Sequence, residues 1–166
     1  RFPDVPISID TVKSGVARAA IDADARIVND VSGFRLDPAM ARICAETRVG
    51  VVLMHSRGGV DDMATYAHAE YEGDPMDAVL TELRERVDSA LSQGVARDCI
   101  VVDPGIGFAK RPSQSLRVLA TLPRLAEWGF PVLVGASRKR FVADVTGIRD
   151  AAARVHGEIT HAERAR

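Results

Sequence analysis

The chain has 166 residues, 46% hydrophobic and 27% charged, with 22 Lys and Arg against 23 Asp and Glu for a net charge of −1. This is the size and balance of one globular domain with a substantial core, and it lacks the broad cationic footprint of a nucleic-acid binder. No run of ~20 apolar residues offers a membrane span and no secretory apolar region opens the chain, so neither membrane nor nucleic-acid partners are expected.

The elements alternate, strand then helix, without a compositional break that would mark a linker. Strands are expected over 7–10, 27–30, 51–54, 100–103 and 132–135, each a short continuous apolar run of the kind buried on both faces of a parallel sheet. The pairs Asp37-Pro38 and Asp74-Pro75 each place a capping carboxylate before a first-turn proline, which signals a helix start. After Pro75, Val79, Leu80, Leu83, Val87, Ala90 and Leu91 repeat at helical spacing and stop at Gly94. A further helix carries Leu116, Leu119, Leu122 and Leu125, is kinked or restarted at Pro123, and ends near Gly129. The pattern implies an α/β fold with crossover helices, and residues 56–74 form its longest irregular stretch, a candidate active-site loop.

The two cysteines, Cys44 and Cys99, lie far apart with no CxxC and no paired histidines. That argues against a disulfide framework or structural zinc and reads as two buried, reduced thiols in a cytoplasmic protein. No HExxH or other metal pattern involves His55, His68, His156 or His161, so no protein-only metal site is expected. The chain starts at Arg1, six residues before the first strand, and reads as a fragment or a processed chain.

Polar groups gather where the apolar runs stop: Asp10-Thr11, Asn29-Asp30, His55, Asp103 and Ser137-Arg138-Lys139. In a parallel barrel the C-terminal strand ends meet on one face, and that face carries the site. The alternative is that these residues cap helices, for which Asp, Asn and Ser are favoured. The stretch DPGIGFAK after the fourth run is neither a dinucleotide fingerprint nor a P-loop, because its glycines have the wrong number and spacing. They are read instead as permitting a tight turn and a close approach to a ligand. Asp103, leaving a strand of Ile100, Val101 and Val102, needs a partner: a Lys or Arg of the protein, or a ligand offering two parallel N–H donors. Arg138, Lys139 and Arg140 follow the last strand and open a helix, a place suited to an anion. No G-x-S-x-G elbow accompanies Ser56, so Ser-His-Asp chemistry is not supported. Tyr66 and Tyr71 are open to a recognition or a packing role.

Taken in order, PISIDTVKSGVARAA, ARIVNDVSGF, VVLMHSRGGVDDM, IVVDPGIGFAK and PVLVGASRKRF resemble dihydropteroate synthase, from Pro6 to about Gly157. The resemblance implies a (β/α)8 TIM barrel, incomplete here: a single pterin-binding barrel domain over 1–166, truncated at both ends, with about strands three to seven present. It implies condensation of 4-aminobenzoate with 6-hydroxymethyl-7,8-dihydropterin diphosphate to give 7,8-dihydropteroate and diphosphate in folate biosynthesis. By position, Asp10, Asn29 and Asp103 would hydrogen-bond the pterin, Asp103 taking its 2-amino and N3–H edge. Met54, Phe108 and Gly135 would line the pterin slot, Lys139 would contact the pterin beside the aminobenzoate, and Arg138 would help surround that second substrate. Lys139 and Asp103 would be the catalytic pair. The resemblance also implies Mg2+ on the diphosphate, its protein ligand lying in an N-terminal segment outside this sequence, and a homodimer for the full-length protein. Ala109 replaces a usual glycine, Arg140 replaces a serine that touches aminobenzoate, and RVHGEITHA resembles the helix after strand seven. The 166 residues alone would fold poorly and be inactive. Competing readings are a corrinoid-dependent pterin-binding methyltransferase, whose substrate has no diphosphate to explain the SRK cluster, and an inactive pterin-binding fragment.

Overall fold

A computed structural model describes residues 4–150. Four parallel strands, β1 (Ser8–Asp10), β2 (Ile27–Asp30), β3 (Gly50–Met54) and β4 (Ile100–Asp103), lie side by side in chain order. Parallel neighbours require crossovers. Helix α1 (Ser14–Asp22) links β1 to β2, α2 (Ala39–Thr47) links β2 to β3, and α3 (Pro75–Ser92) links β3 to β4. After β4 come α4 (Pro112–Ala120), α5 (Pro123–Ala126) and α6 (Arg140–Thr146). This repeat is an arc of an α/β barrel.

The register sorts the side chains. Asp10 pairs with Asn29, Asn29 with Val52, Val52 with Val101, and Met54 with Asp103. Because side chains alternate along a strand, Asp10, Asn29, Met54 and Asp103 share one face of the sheet. The opposite face sends Val28, Val51, Leu53, Ile100 and Val102 into the helix layer, where they pack with Met40, Val79, Leu83 and Val87. The core lies between sheet and helices, and the polar strand ends lie on the other side.

Both proline-led helix starts form. Asp74 Oδ1 accepts from the Met76 N–H at 3.0 Å as the cap of α3. Asp37 accepts from the N–H groups of Ala39, at 3.0 Å, and Ser14, at 2.7 Å, and so ties the start of α1 to that of α2. Pro123 restarts the chain as the short α5, because a proline inside α4 would lack its hydrogen bond to the preceding turn.

The strand expected over 132–135 does not form. Only Val132 bridges to β4: the Val102 N–H donates to Pro131 O at 3.0 Å and the Leu133 N–H to Val102 O at 2.9 Å. Beyond Leu133 the run pairs with nothing among the described residues, and Leu133 and Val134 remain exposed. A strand is defined by its ladder, and an apolar run paired briefly on one side does not extend it. The expectation of two buried thiols holds for Cys44 only. Cys99 is half-buried, with its Sγ 3.6 Å from Arg48 O. RVHGEITHA, with His156 and His161, lies outside the described residues. No helix among the described residues is long and apolar enough to cross a membrane.

Ser115, on the buried side of α4, has a hydroxyl with no hydrogen-bond partner among the described residues. A buried unsatisfied hydroxyl is destabilising and Ala is the better helix former. Ser115→Ala is therefore expected to raise unfolding free energy by about 1 kcal/mol, read from the urea midpoint; a fall would contradict it.

Candidate active site

The strand-end residues of the sheet face opposite the helices come together as pairs. Asn29 Nδ2 donates to Asp10 Oδ2 at 3.1 Å, so the ends of β1 and β2 form one polar lip. One pleat further along, Met54 and Asp103 sit side by side at the ends of β3 and β4, both nearly buried. The Gly105 N–H donates to Asp103 Oδ1 at 2.7 Å, and among the described residues this is the carboxylate's one hydrogen bond. Burial raises the Asp103 carboxyl above the usual carboxylate range, opposed by the Gly105 N–H and by the Lys139 and Lys110 ammonium groups. A buried carboxylate with open acceptor capacity beside two cations is equipped to take N–H donors from a ligand.

The glycines after Asp103 do make a tight turn, but the close approach they allow is to the protein itself. Gly105 has φ +68°, and a Cβ there would lie 1.8 Å from the His55 carbonyl oxygen. Gly107 has φ +78°, and a Cβ there would meet the Lys139 stem at 3.3 Å. Ala109, where the resemblance has glycine, takes φ +47°. Loop 56–74 holds it there: its N–H donates to Met63 O at 2.8 Å and its carbonyl accepts from Tyr71 Oη at 3.0 Å.

Beneath this turn runs a buried polar network. Lys110 Nζ is hydrogen-bonded to His55 Nδ1 at 2.9 Å and donates to Gly105 O at 3.0 Å and Phe108 O at 3.1 Å. His55 Nε2 faces Glu82 Oε2 at 3.1 Å, and Glu82 is gripped by the Arg57 guanidinium. Arg86 donates to Met54 O at 2.6 Å and Ser56 O at 2.5 Å, holding the end of β3. Burial, with the Lys110 charge adding to it, pushes the His55 imidazole down to about 3. Burial pushes the Lys110 ammonium down to about 7. For Glu82 the effect of burial is outweighed by hydrogen bonds from His55 and Arg57, which bring it down to about 2.

These shifts fix a direction for acid stability. Between pH 6.5 and 3 an unfolded chain protonates His55 while the folded one does not, so stability falls as pH falls through that window. Glu82 adds a further loss as pH falls from 4.5 to 2. The His55 part has a ceiling of about 5 kcal/mol. In urea titrations across this range, His55→Asn is expected to flatten the pH 6.5-to-3 slope; an unchanged slope would refute the assignment.

The three consecutive cations do not act as one cluster. Lys139 Nζ sits 4.0 Å above the Phe108 ring centroid, and burial lowers its pKa against the pull of Asp103 and Asp10. Arg140 stacks on Tyr66 at 4.1 Å, and Tyr66 Oη donates to Asp144 Oδ2 at 3.1 Å. Arg138 lies exposed at φ +56°. Lys110, Phe108, Lys139, Arg140 and Tyr66 line a cavity of about 120 Å³ beside the glycine turn. Gly135 is exposed with open space around it. A larger cavity, about 510 Å³, lies away from this face, against Phe34, Arg35, Arg57 and Arg86.

Two of the expected rim groups face elsewhere. Asp30, adjacent to Asn29 in β2, points into the helix layer, where it accepts from the Ser32 N–H and hydroxyl at 2.7 Å; it closes the turn after β2 and caps no helix, since α2 begins only at Ala39. His55 is fully buried in the network below the turn. Sequence reading missed Lys110, Glu82 and Arg86. A signal for Arg86 existed, since it stands on the apolar stripe of Val79, Leu83, Val87 and Ala90.

The sequence profile described as "Pterin binding enzyme" matches residues 1–165. The dihydropteroate synthase of Mycobacterium leprae is 44% identical over 154 residues, covering 90% of this chain and 52% of that protein. Among solved structures, Xanthomonas albilineans dihydropteroate synthase in complex with 7,8-dihydropteroate superposes with a TM-score of 0.86 at 37% identity, covering 97% of this chain and 57% of that one. The Thermus thermophilus dihydropteroate synthase in complex with 4-aminobenzoate gives 0.87 at 40% identity, covering 97% and 61%. The chain spans about half the length of the curated relatives it matches. With a family profile matched along nearly its whole length and these strand ends on one sheet face, the chain belongs to the pterin-binding enzyme family.

Proposed function

We propose that this chain supplies the pterin-holding part of a dihydropteroate synthase. The observation that carries the reading is Asp103: a nearly buried carboxylate at a strand end, one oxygen fixed by a backbone N–H, on the same sheet face as Asp10, Asn29 and Met54. A pterin's 2-amino and N3–H edge is a planar pair of donors that such a carboxylate accepts bidentately. Asp10 and Asn29 take further polar edges of the same ring. Met54, Phe108 and Gly135 border its slot, and Lys139 reaches it over the Phe108 ring. Arg138 contributes to the surroundings of the aminobenzoate.

In the reaction, the bond between the pterin methylene carbon and the diphosphate oxygen breaks, and the electron pair leaves with diphosphate. The amino nitrogen of 4-aminobenzoate forms the new bond to that carbon and releases a proton. No covalent enzyme intermediate is needed, so catalysis rests on orientation and on stabilising developing charge. Mg2+ on the diphosphate would neutralise the leaving group. The part of this chain's own residues in the reaction is to bind and orient the pterin. A homodimeric, cytoplasmic enzyme belongs to the same proposal.

The test is direct. A full-length protein that contains this chain, supplied with 6-hydroxymethyl-7,8-dihydropterin diphosphate, 4-aminobenzoate and Mg2+, should release diphosphate and form 7,8-dihydropteroate, and should bind 6-hydroxymethylpterin without the second substrate. Failure to bind the pterin would overturn the reading.

A further inference from the structure

We propose that Lys110 is a positioning residue for pterin capture, locked by His55 and Glu82 and acting through the 105–108 turn on Asp103 and Phe108. This inference rests on the pterin-binding reading above. Lys110 heads the fully buried large side chains, and it lines the floor of the small cavity beside Phe108 and Lys139.

Its surroundings match an ammonium group. Three N–H donors meet three acceptors, His55 Nδ1, Gly105 O and Phe108 O. Acceptance at Nδ1 places the imidazole proton on Nε2, which then donates to Glu82 Oε2. Arg57 holds Glu82 from the other side. The orientation of the ammonium is therefore set by a chain of side chains from α3, loop 56–74 and the end of β3.

Its reach explains the role. Gly105 O and Phe108 O bracket the turn, and the ammonium draws both carbonyls to one point while the Phe108 N–H donates to Gly105 O at 3.0 Å. The same turn delivers the Gly105 N–H to Asp103 Oδ1 and the Phe108 ring to Lys139. Losing the ammonium frees the turn and, with it, the aim of both groups. A buried ammonium is also expensive to desolvate, and apolar replacements of buried charges are often as stable, so stability alone gives no reason for it.

The experiment measures 6-hydroxymethylpterin affinity by calorimetry, at a temperature where circular dichroism shows each variant folded. Lys110→Met is expected to weaken binding about tenfold or more. His55→Gln, which keeps a group facing Glu82 but removes the acceptor for Lys110, should weaken it similarly. His55→Asn, whose side-chain oxygen takes the place of Nδ1, should recover most of that loss. Folded Lys110→Met binding as the wild type does would overturn the proposal, and so would equal affinities for the two His55 variants. Should Lys110→Met not fold, the His55 pair decides alone. A wild-type protein that binds no pterin sinks the functional reading instead, which keeps the two failures apart.

Discussion

Under the proposed synthase function, Asp103→Asn in the full-length protein is expected to lower kcat/KM for the pterin substrate by about a hundredfold or more, with the thermal midpoint unchanged or slightly raised. The carboxylate accepts at both oxygens, whereas the amide presents an NH2 group to one of the ligand's donors. Two charge-assisted hydrogen bonds of about 1.5–3 kcal/mol each are at stake, and a mismatched donor adds a penalty. The neutral amide meanwhile escapes the burial penalty that raises the Asp103 carboxyl, which is why stability should not fall. Initial rates and differential scanning fluorimetry on the same preparations separate the two effects. A loss below fivefold would remove Asp103 from the pterin grip.

The largest stability effect is expected from Gly105→Ala. Its backbone is in the left-handed region, and the added Cβ would fall 1.8 Å from His55 O, far inside contact distance. That carbonyl cannot retreat, because the adjacent His55 N–H is paired to Asp103 O at 2.8 Å and Arg86 grips Met54 O and Ser56 O on either side. A loss of roughly 3 kcal/mol or more in urea unfolding is expected, from strain and overpacking together. Gly15→Ala is the control: it sits in α1 with open space around it, and should be neutral or stabilising by up to about 1 kcal/mol. Similar outcomes for the two would mean that the clash is relieved by a movement of the turn.

Much of this arrangement was legible in the residues. The runs 27–30 and 100–103 coincide with β2 and β4 because each is a short apolar stretch closed by a carboxylate. The run 132–135, Val-Leu-Val-Gly, is at least as apolar and fails as a strand, since composition does not reveal whether a partner backbone lies alongside. Asn29-Asp30 and Met54-His55 could not be resolved from adjacency alone. Successive residues of a strand point to opposite faces, so only one of each pair can share the face of Asp10 and Asp103, and the pairing register selects Asn29 and Met54. The Lys110 network stayed hidden for another reason. A lysine after a glycine turn is expected at the surface, and only tertiary packing brings His55 and Glu82, 55 and 28 residues away in the chain, to its side.

The alternation that places Asp10, Asn29, Met54 and Asp103 on one face also sets how this protein can vary in length. Loop 56–74 touches the site through tethers at Met63 and Tyr71, and insertions elsewhere in it leave the strand ends where they are. One residue deleted inside β2 or β4 would instead rotate Asn29 or Asp103 into the helix layer and put Asp30 or Pro104 in its place. Natural length variation should therefore crowd into the connections and spare the strands. A scan of single-residue deletions should show the same division, with function lost in the strands and kept in the connections.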